Sequence, residues 1–308
     1  MRRSHLLLAL TALLSVALVV PAAAQTLTAE PTKPQRRVST TSKALVRTAA
    51  QDRKVRKYWS PARMLAASPI LGKGLLPETK PRNASAPGAH RWNSGGAITS
   101  TVGKVFFTLN KIDYVCTATS INSANRDTLI TAGHCVNSGP GAFATNWIFV
   151  PAYSPGNEPY GRWTARTLYA PANWTERGEL AHDYGYAVLN TNGGSHIADV
   201  VGTQGVTFNP ARGTHIHSFG YPELAPYKGD ALYLCEGDAQ QDTRGTGQGI
   251  PCDMTEGSSG GPWLTDFNGN TGNVMSVNSF GYDDTPNVMY GPYLGDTAEN
   301  LYGTAQKS

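Results

Sequence analysis

From Trp92 to the C-terminus the chain breaks into short apolar or alternating runs, each cut off within a few residues by Gly, Asn, Pro or Asp. The runs are Lys104 to Leu109, Tyr114 to Ile121, Thr128 to Thr131, Trp147 to Val150, Tyr184 to Leu189, His215 to Phe219, Ala231 to Leu234 and Val274 to Phe280. Alternating patterns of this length predict strands rather than helices. About 215 residues patterned this way specify an all-β sandwich or barrel, as one large domain or two joined barrels. A brief helix is expected near Gly295 to Tyr302, and no internal repeat points to a solenoid or propeller.

The residues before this region obey other rules. Arg2 and Arg3 precede an apolar run from Leu6 to Val20, then Pro21 and Ala22, Ala23 and Ala24. That is the layout of a secretory signal peptide over residues 1–24, with cleavage expected after Ala24. The run is shorter than the ~20 residues of a spanning helix, and no second run of membrane length follows. The processed chain is therefore expected outside the cell and free of the membrane.

Residues 25–90 carry 13 Lys and Arg against 3 Asp and Glu, whereas residues 91–308 carry 11 against 19. The formal net charge of +4 thus hides a basic segment joined to an acidic domain. Nucleic-acid binding does not follow from the overall charge. With breakers at Pro61, Pro69, Pro77, Pro81 and Pro87, residues 25–90 are expected to be largely irregular. One helix-compatible stretch runs from about Ser42 to Lys57. A propeptide and a linker both fit, and the opposite charges favour the propeptide, hence a zymogen. Export also favours disulfides over a zinc site for Cys116, Cys135, Cys235 and Cys252. Four cysteines permit three pairings, and sequence proximity suggests Cys116 with Cys135 and Cys235 with Cys252.

Three segments combine residues that a purely structural loop has little reason to contain. In Leu129-Ile130-Thr131-Ala132-Gly133-His134-Cys135 an apolar strand ends in small residues, so a histidine emerges beside a tight turn. In His182-Asp183-Tyr184-Gly185-Tyr186-Ala187-Val188-Leu189 an aspartate stands just before a buried strand. In Met254-Thr255-Glu256-Gly257-Ser258-Ser259-Gly260-Gly261-Pro262 glycines flank a serine and permit a sharp turn, so that its hydroxyl is exposed while nearby amides converge. A serine hydroxyl needs a base within hydrogen-bond reach to act as a nucleophile, and that base needs an orienting group. Separately these are a disulfide-loop histidine, a strand cap and a turn serine. Together, in this order, they resemble the three signatures of trypsin-like serine proteases over about residues 95 to 285.

The resemblance implies two six-stranded antiparallel β-barrels with the active site between them, in a protease domain over residues 91–308. It implies Ser259 as nucleophile, His134 as general base, Asp183 as the group orienting His134, and the N–H groups of Gly257 and Ser259 as the oxyanion hole. His182 cannot supply the permanent negative charge that Asp183 brings. Ser279, Phe280 and Gly281 would form the strand edge that pairs with substrate backbone. The expected protein is a monomeric secreted endopeptidase acting on proteins or peptides, with no catalytic metal or organic cofactor. Ser258 stands where many relatives carry an Asp that pairs with a new Ile-Val N-terminus, so that mode of activation is not expected. The chain looks closer to secreted microbial members, some resembling glutamyl endopeptidases. Maturation is expected between about Arg82 and Arg91.

Asp253, six residues before Ser259, occupies the place of the acidic base of trypsin's specificity pocket and slightly favours Arg or Lys at P1. Glutamate preference fits less well, because Asn278 stands where glutamyl-type relatives often present a histidine. An inactive homologue serving as an extracellular binding module is the rival from another class. An esterase is disfavoured by the order His, Asp, Ser, since the usual esterase order is Ser, Asp, His. His215 and His217 would share a strand face, for which ordinary packing or exposure is expected over a metal pair. Asp266, Asn268 and Asn270 resemble part of a calcium loop, yet a turn is expected there. Asn83 and Asn173 match glycosylation acceptors.

Overall fold

The computed structural model describes residues 39–70 and 88–308. The signal segment, Asn83 and the chain between Leu71 and Pro87 lie outside the described residues. Among the described residues, no helix is long and apolar enough to cross a membrane.

The strands are β1 (Thr40–Ala44), β2 (Ser68–Pro69), β3 (His90–Arg91), β4 (Val102–Leu109), β5 (Ile112–Ser120), β6 (Thr128–Thr131), β7 (Thr145–Pro151), β8 (Trp163–Pro171), β9 (Gly185–Leu189) and β10 (Gly205–Val206). They continue with β11 (His215–Gly220), β12 (Tyr233–Asp238), β13 (Gln240–Gln241), β14 (Gln248–Pro251), β15 (Pro262–Thr265), β16 (Asn273–Val277) and β17 (Val288–Gly291). Six short helices join them: α1 (Ala49–Tyr58), α2 (Pro61–Ala66), α3 (Ala97–Thr101), α4 (Ala172–Arg177), α5 (Ile197–Val201) and α6 (Asp296–Ala305). The last is the helix expected near the C-terminus.

In the first half, β8-β7-β4-β5-β6-β9 pair in that order, and β8 pairs again with β9, so six antiparallel strands close on themselves. Val105, Phe106, Ile130, Phe149, Leu168 and Val188 of these strands are fully buried in the main hydrophobic core. The second half is a six-stranded sheet, β10-β16-β15-β11-β12-β3, with a separate three-stranded sheet, β13-β14-β17. Ile216, Ile250, Trp263 and Met275 form its own core, beside the disulfide sulfurs of Cys235 and Cys252. This is a chymotrypsin-like double barrel whose second member is assembled from two sheets. Both expected disulfides are present, Cys116–Cys135 and Cys235–Cys252. Each closes a loop of under 20 residues, worth about 3 kcal/mol through restriction of the unfolded chain.

The expectation that residues 25–90 are largely irregular fails for residues 39–70. There β1 extends the first barrel by antiparallel pairing with β8, and β2 pairs in parallel with β5. Thr48 and Gln51 form a capping box that starts α1, and Pro61, read as a breaker, instead occupies the first turn of α2 behind the Ser60 cap. The segment is docked by six buried apolar residues, Val46, Val55, Trp59, Met64, Ala67 and Ile70. Trp59 is fully buried, packs 5.6 Å from the Phe106 ring and donates from Nε1 to the carbonyl of Asn146 at 2.5 Å. Met64 and Val55 are buried beside it. Arg63 pairs with Asp113 of the acidic domain at 2.7 Å. One tryptophan in a polar, basic sequence is easily overlooked by composition, yet burying it contributes a few kcal/mol. At the other end of the segment, β3 lies across the expected 90/91 boundary, paired with β12.

Two weaker readings can be placed. The side-chain oxygen of Asn268 accepts from the backbone N–H groups of Asn270 and Thr271, and that of Asn270 accepts from Ala97. The segment is thus organised as a turn. Asn173 lies in α4, with its amide donating to Glu179 at 2.9 Å.

Candidate active site

β6 delivers His134. It ends at Thr131, and one 3-10 turn, Gly133–Cys135, then carries the imidazole into the interior. The Cys116–Cys135 disulfide ties that turn back to β5. A side chain on Gly133 would meet Asp183 Oδ1 at 2.8 Å, so the glycine permits the close approach of the carboxylate. Asp183 sits just before β9, the neighbour of β6 in the closed barrel. Its Oδ1 accepts from the backbone N–H of His134 at 2.7 Å, and its Oδ2 lies 2.7 Å from His134 Nδ1. Two contacts to one residue fix both the turn and the ring. Trp174 of α4 stands 6.4 Å from the imidazole, centre to centre.

Across the interface, residues 257–261 form a tight turn before β15. Gly257 and Gly260 both have positive φ, +96° and +82°, and a side chain on Gly260 would meet the carbonyl of Thr117 at 2.3 Å. Both positions therefore demand glycine. Thr117 of β5 pins the turn from the first barrel: its N–H donates to the carbonyl of Ser259 at 2.7 Å and its hydroxyl to that of Gly257 at 2.9 Å. The Ser259 carbonyl also lies 3.7 Å from Sγ of Cys135, the residue after His134. His134, Asp183 and Ser259 are all buried, at 3%, 1% and 5% exposure.

Three polar groups are left open at this point. Among the described residues, Nε2 of His134 is buried and has no hydrogen-bond partner, so the Ser259 hydroxyl stands outside bonding geometry. Such contacts commonly tighten only when substrate is present. Among the described residues, the N–H groups of Gly257 and Ser259 donate to nothing, although that of Ser258 between them bonds Thr255 at 3.2 Å. Two unpaired N–H groups flanking a bonded one form an anion-receptive pair.

Several sequence expectations change in detail. Ser279 belongs with Asp183 as well as with the expected edge, since its hydroxyl donates to Oδ2 at 2.5 Å. The backbone of Phe280 is already paired with Tyr290 on both sides, N–H to O at 3.3 Å and O to H–N at 2.8 Å. The carbonyl of Ser279 and the N–H of Gly281 remain unpaired there. Asn278 does not line the cavity beside Ser259. It is fully buried, its Oδ1 accepting from Ser218 and Trp263 and its Nδ2 donating to the carbonyls of Phe219 and Ser258. His182 faces Glu179 rather than the site. Thr117 and Trp174 carry no motif, and only the folded chain brings them to the site.

The cavity beside Ser259 is walled by residues 252–256 on one side and by 279–283 and 285–289 on the other. Asp253, Glu256 and Asp283 line it, and among the described residues no Lys, Arg or His does. Oδ1 of Asp253 accepts from the backbone N–H of Ala89 and from the Tyr227 hydroxyl, each at 2.6 Å. Behind the turn, Lys104 of β4 pairs with Glu223 at 2.8 Å; Lys104 is 3% exposed. Burial pushes the Lys104 ammonium below its ordinary pKa and the Glu223 carboxyl above its own.

A closed antiparallel barrel facing a second β unit, with a histidine–aspartate pair on one side and a glycine-flanked serine on the other, defines the serine proteases of chymotrypsin fold. The chain belongs to that family: it is 49% identical to the protease Anisep from Arthrobacter nicotinovorans, covering 68% of this chain and 97% of that one with a TM-score of 0.65. It is likewise 45% identical to AL20, a thermostable serine protease from an extremophilic microorganism, covering 69% and 99% with a TM-score of 0.66. A Glu endopeptidase, 19% identical over 73% of this chain and 99% of its own, shares the fold at a TM-score of 0.59. No family model matches the chain. The chain spans about a quarter of the length of one curated relative, an extracellular metalloprotease of Bacillus subtilis (strain 168), 32% identical over 84 residues, 27% of this chain and 26% of that protein. Here the sulfurs nearest His134 are joined in a disulfide and offer no thiolate to a metal.

Proposed function

We propose that the chain is a secreted endopeptidase that cleaves peptide bonds through an ester formed on Ser259. The observation that carries this reading is the buried, unpartnered Nε2 of a histidine whose Nδ1 is held by a buried carboxylate. With Nδ1–H fixed by Asp183, Nε2 is the basic nitrogen, and the hydroxyl of Ser259 is the proton donor within the same turn system.

The chemistry follows from these positions. Oγ of Ser259 attacks the substrate carbonyl as its proton passes to Nε2, and Asp183 stabilises the imidazolium without taking the proton. The developing oxyanion is received by the N–H groups of Gly257 and Ser259, a term worth about 3–4 kcal/mol per donor. Collapse expels the amine, which takes the proton from Nε2. Water, deprotonated by the same nitrogen, then hydrolyses the ester. Substrate backbone is aligned by the Ser279 carbonyl and the Gly281 N–H as an added strand.

The P1 preference we infer is for Arg or Lys. Among the described residues three carboxylates and no basic side chain line the cavity, which favours a cation and disfavours Glu. Of residues 25–90, the part that precedes Ala89 acts as the propeptide. The removing cut falls on the N-terminal side of Ala89, because a cut at Arg91 would delete β3 and the Ala89 contact to Asp253. The mature enzyme works as a monomer outside the cell.

Peptides released from a denatured protein by the processed enzyme and by its Ser259→Ala variant, compared by mass spectrometry, test these statements together. Cuts after Arg and Lys that vanish in the variant are expected. Cuts after Glu would overturn the P1 assignment alone. No cuts by correctly processed, folded enzyme would overturn the endopeptidase reading and favour the binding-module alternative.

A further inference from the structure

We propose that the face of β11 and β12 binds a divalent transition-metal ion of the zinc class through His215, His217 and Glu236, outside the catalytic cleft. Residues two apart on a strand share a face, so β11 presents both imidazoles together. The antiparallel register then sets Glu236 of β12 directly opposite His217, and Asp238 directly opposite His215. One donor atom from each of His215, His217 and Glu236 lies within 4.8 Å of the other two.

The spacing is close to that of a coordination shell. Bonds of about 2.0–2.1 Å to a tetrahedral ion place neighbouring donor atoms about 3.3–3.4 Å apart. Nε2 of His217 and Oε2 of Glu236 are 3.5 Å apart already. Nδ1 of His215 lies 2.8 Å from Oδ1 of Asp238, the carboxylate contact that fixes the tautomer of a ligating histidine and leaves Nε2 its lone pair. Two imidazoles and one carboxylate suit zinc and its transition-metal neighbours, whereas calcium and magnesium take oxygen ligands.

The frame beneath these groups is fixed. Six residue pairs join β11 to β12, the His217 ring lies 5.1 Å from that of Phe267, and Cys235 next to Glu236 is held in a disulfide. The His215 and Glu236 side chains are each 53% exposed, so an ion reaches the site from solvent and water completes its shell. β11 runs on to Gly220, where a side chain would meet Cβ of Ser258 at 2.7 Å. An ion on this face therefore braces the strand that backs the nucleophile turn, and binding only to the folded chain raises thermal stability by mass action.

The test uses the full chain carrying Ser259→Ala to prevent self-cleavage, stripped with a chelator and titrated calorimetrically with zinc chloride. Cobalt(II) absorbance serves as a second probe of the same ligands. One saturable equivalent and a higher Tm with zinc are expected. His217→Ala and Glu236→Gln should each weaken binding about tenfold or more, and His196→Ala, at another surface histidine, should leave it unchanged. His215→Asn, at an exposed position, gives the same reading should the His217 variant fail to fold. No saturable binding below about 0.1 mM, or equal affinity in all variants, would overturn the proposal.

Discussion

In the first half of the domain, backbone hydrogen bonds run without a break around six strands, and β8 meets β9 to finish the ring. In the second half, β12 and β14 belong to different sheets, tied by the Cys235–Cys252 disulfide and the Phe280–Tyr290 bridge, while the four side-chain hydrogen bonds of Asn278 hold β11, β15 and the nucleophile turn to one another. His134 and Asp183 stand at the ends of ladder-held strands, whereas Ser259, its flanking N–H groups and the cavity walls stand on loops. A ladder specifies position to within a register and tolerates little change. Loops fixed by side chains can be reshaped one residue at a time, which is how one frame accommodates different substrate preferences.

The largest effect that would sharpen this contrast comes from the ladder-held pair. Asp183→Asn should preserve the fold but present the wrong tautomer of His134, lowering kcat about 10⁴-fold, or ~5.4 kcal/mol in the barrier. Steady-state kinetics on a short peptide amide would read this, and a loss under tenfold would remove Asp183 from the proposed mechanism. Next comes the ion pair spanning the halves. Lys104→Ala leaves Glu223 buried and uncompensated, and should cost about 3–5 kcal/mol in urea unfolding. The double variant Lys104→Met with Glu223→Leu should recover most of that loss, and equal losses in both would show that packing, not charge, matters there.

The smallest effect separates the halves most directly. Replacing either disulfide by a pair of alanines should cost about 3 kcal/mol, because the two loops are nearly equal in length, 19 and 17 residues. Loss of Cys235–Cys252 should also blur cleavage selectivity, since Cys252 adjoins Asp253 in the cavity wall. Loss of Cys116–Cys135 should lower kcat instead, since Cys135 follows His134. Identical peptide maps and rates for the two variants would break the distinction between a catalytic frame and a specificity frame.

Much of this architecture was legible in the chain itself. Strand Thr128–Thr131 and the C-terminal helix fall where alternation and spacing placed them, and both disulfides join the cysteines nearest in sequence. β8 escaped the pattern because Arg166 and polar threonines interrupt its apolar residues, although it pairs with three other strands of the described chain. β15 begins at Pro262 and carries only one tryptophan and one leucine, too little alternation to distinguish it from a loop.

By itself, then, the sequence determined most strands after Trp92, the charge division and the three chemically marked segments, because each is written in residues close together along the chain. The tertiary structure alone decided that Ser279 donates to Asp183, that Thr117 anchors the nucleophile turn, that Asn278 is a buried anchor, and that Trp59 docks residues 39–70. Those contacts join residues 15 to 142 positions apart. Alternation encodes which face of a strand is buried, but the partner on that face is fixed only when the sheets close and pack.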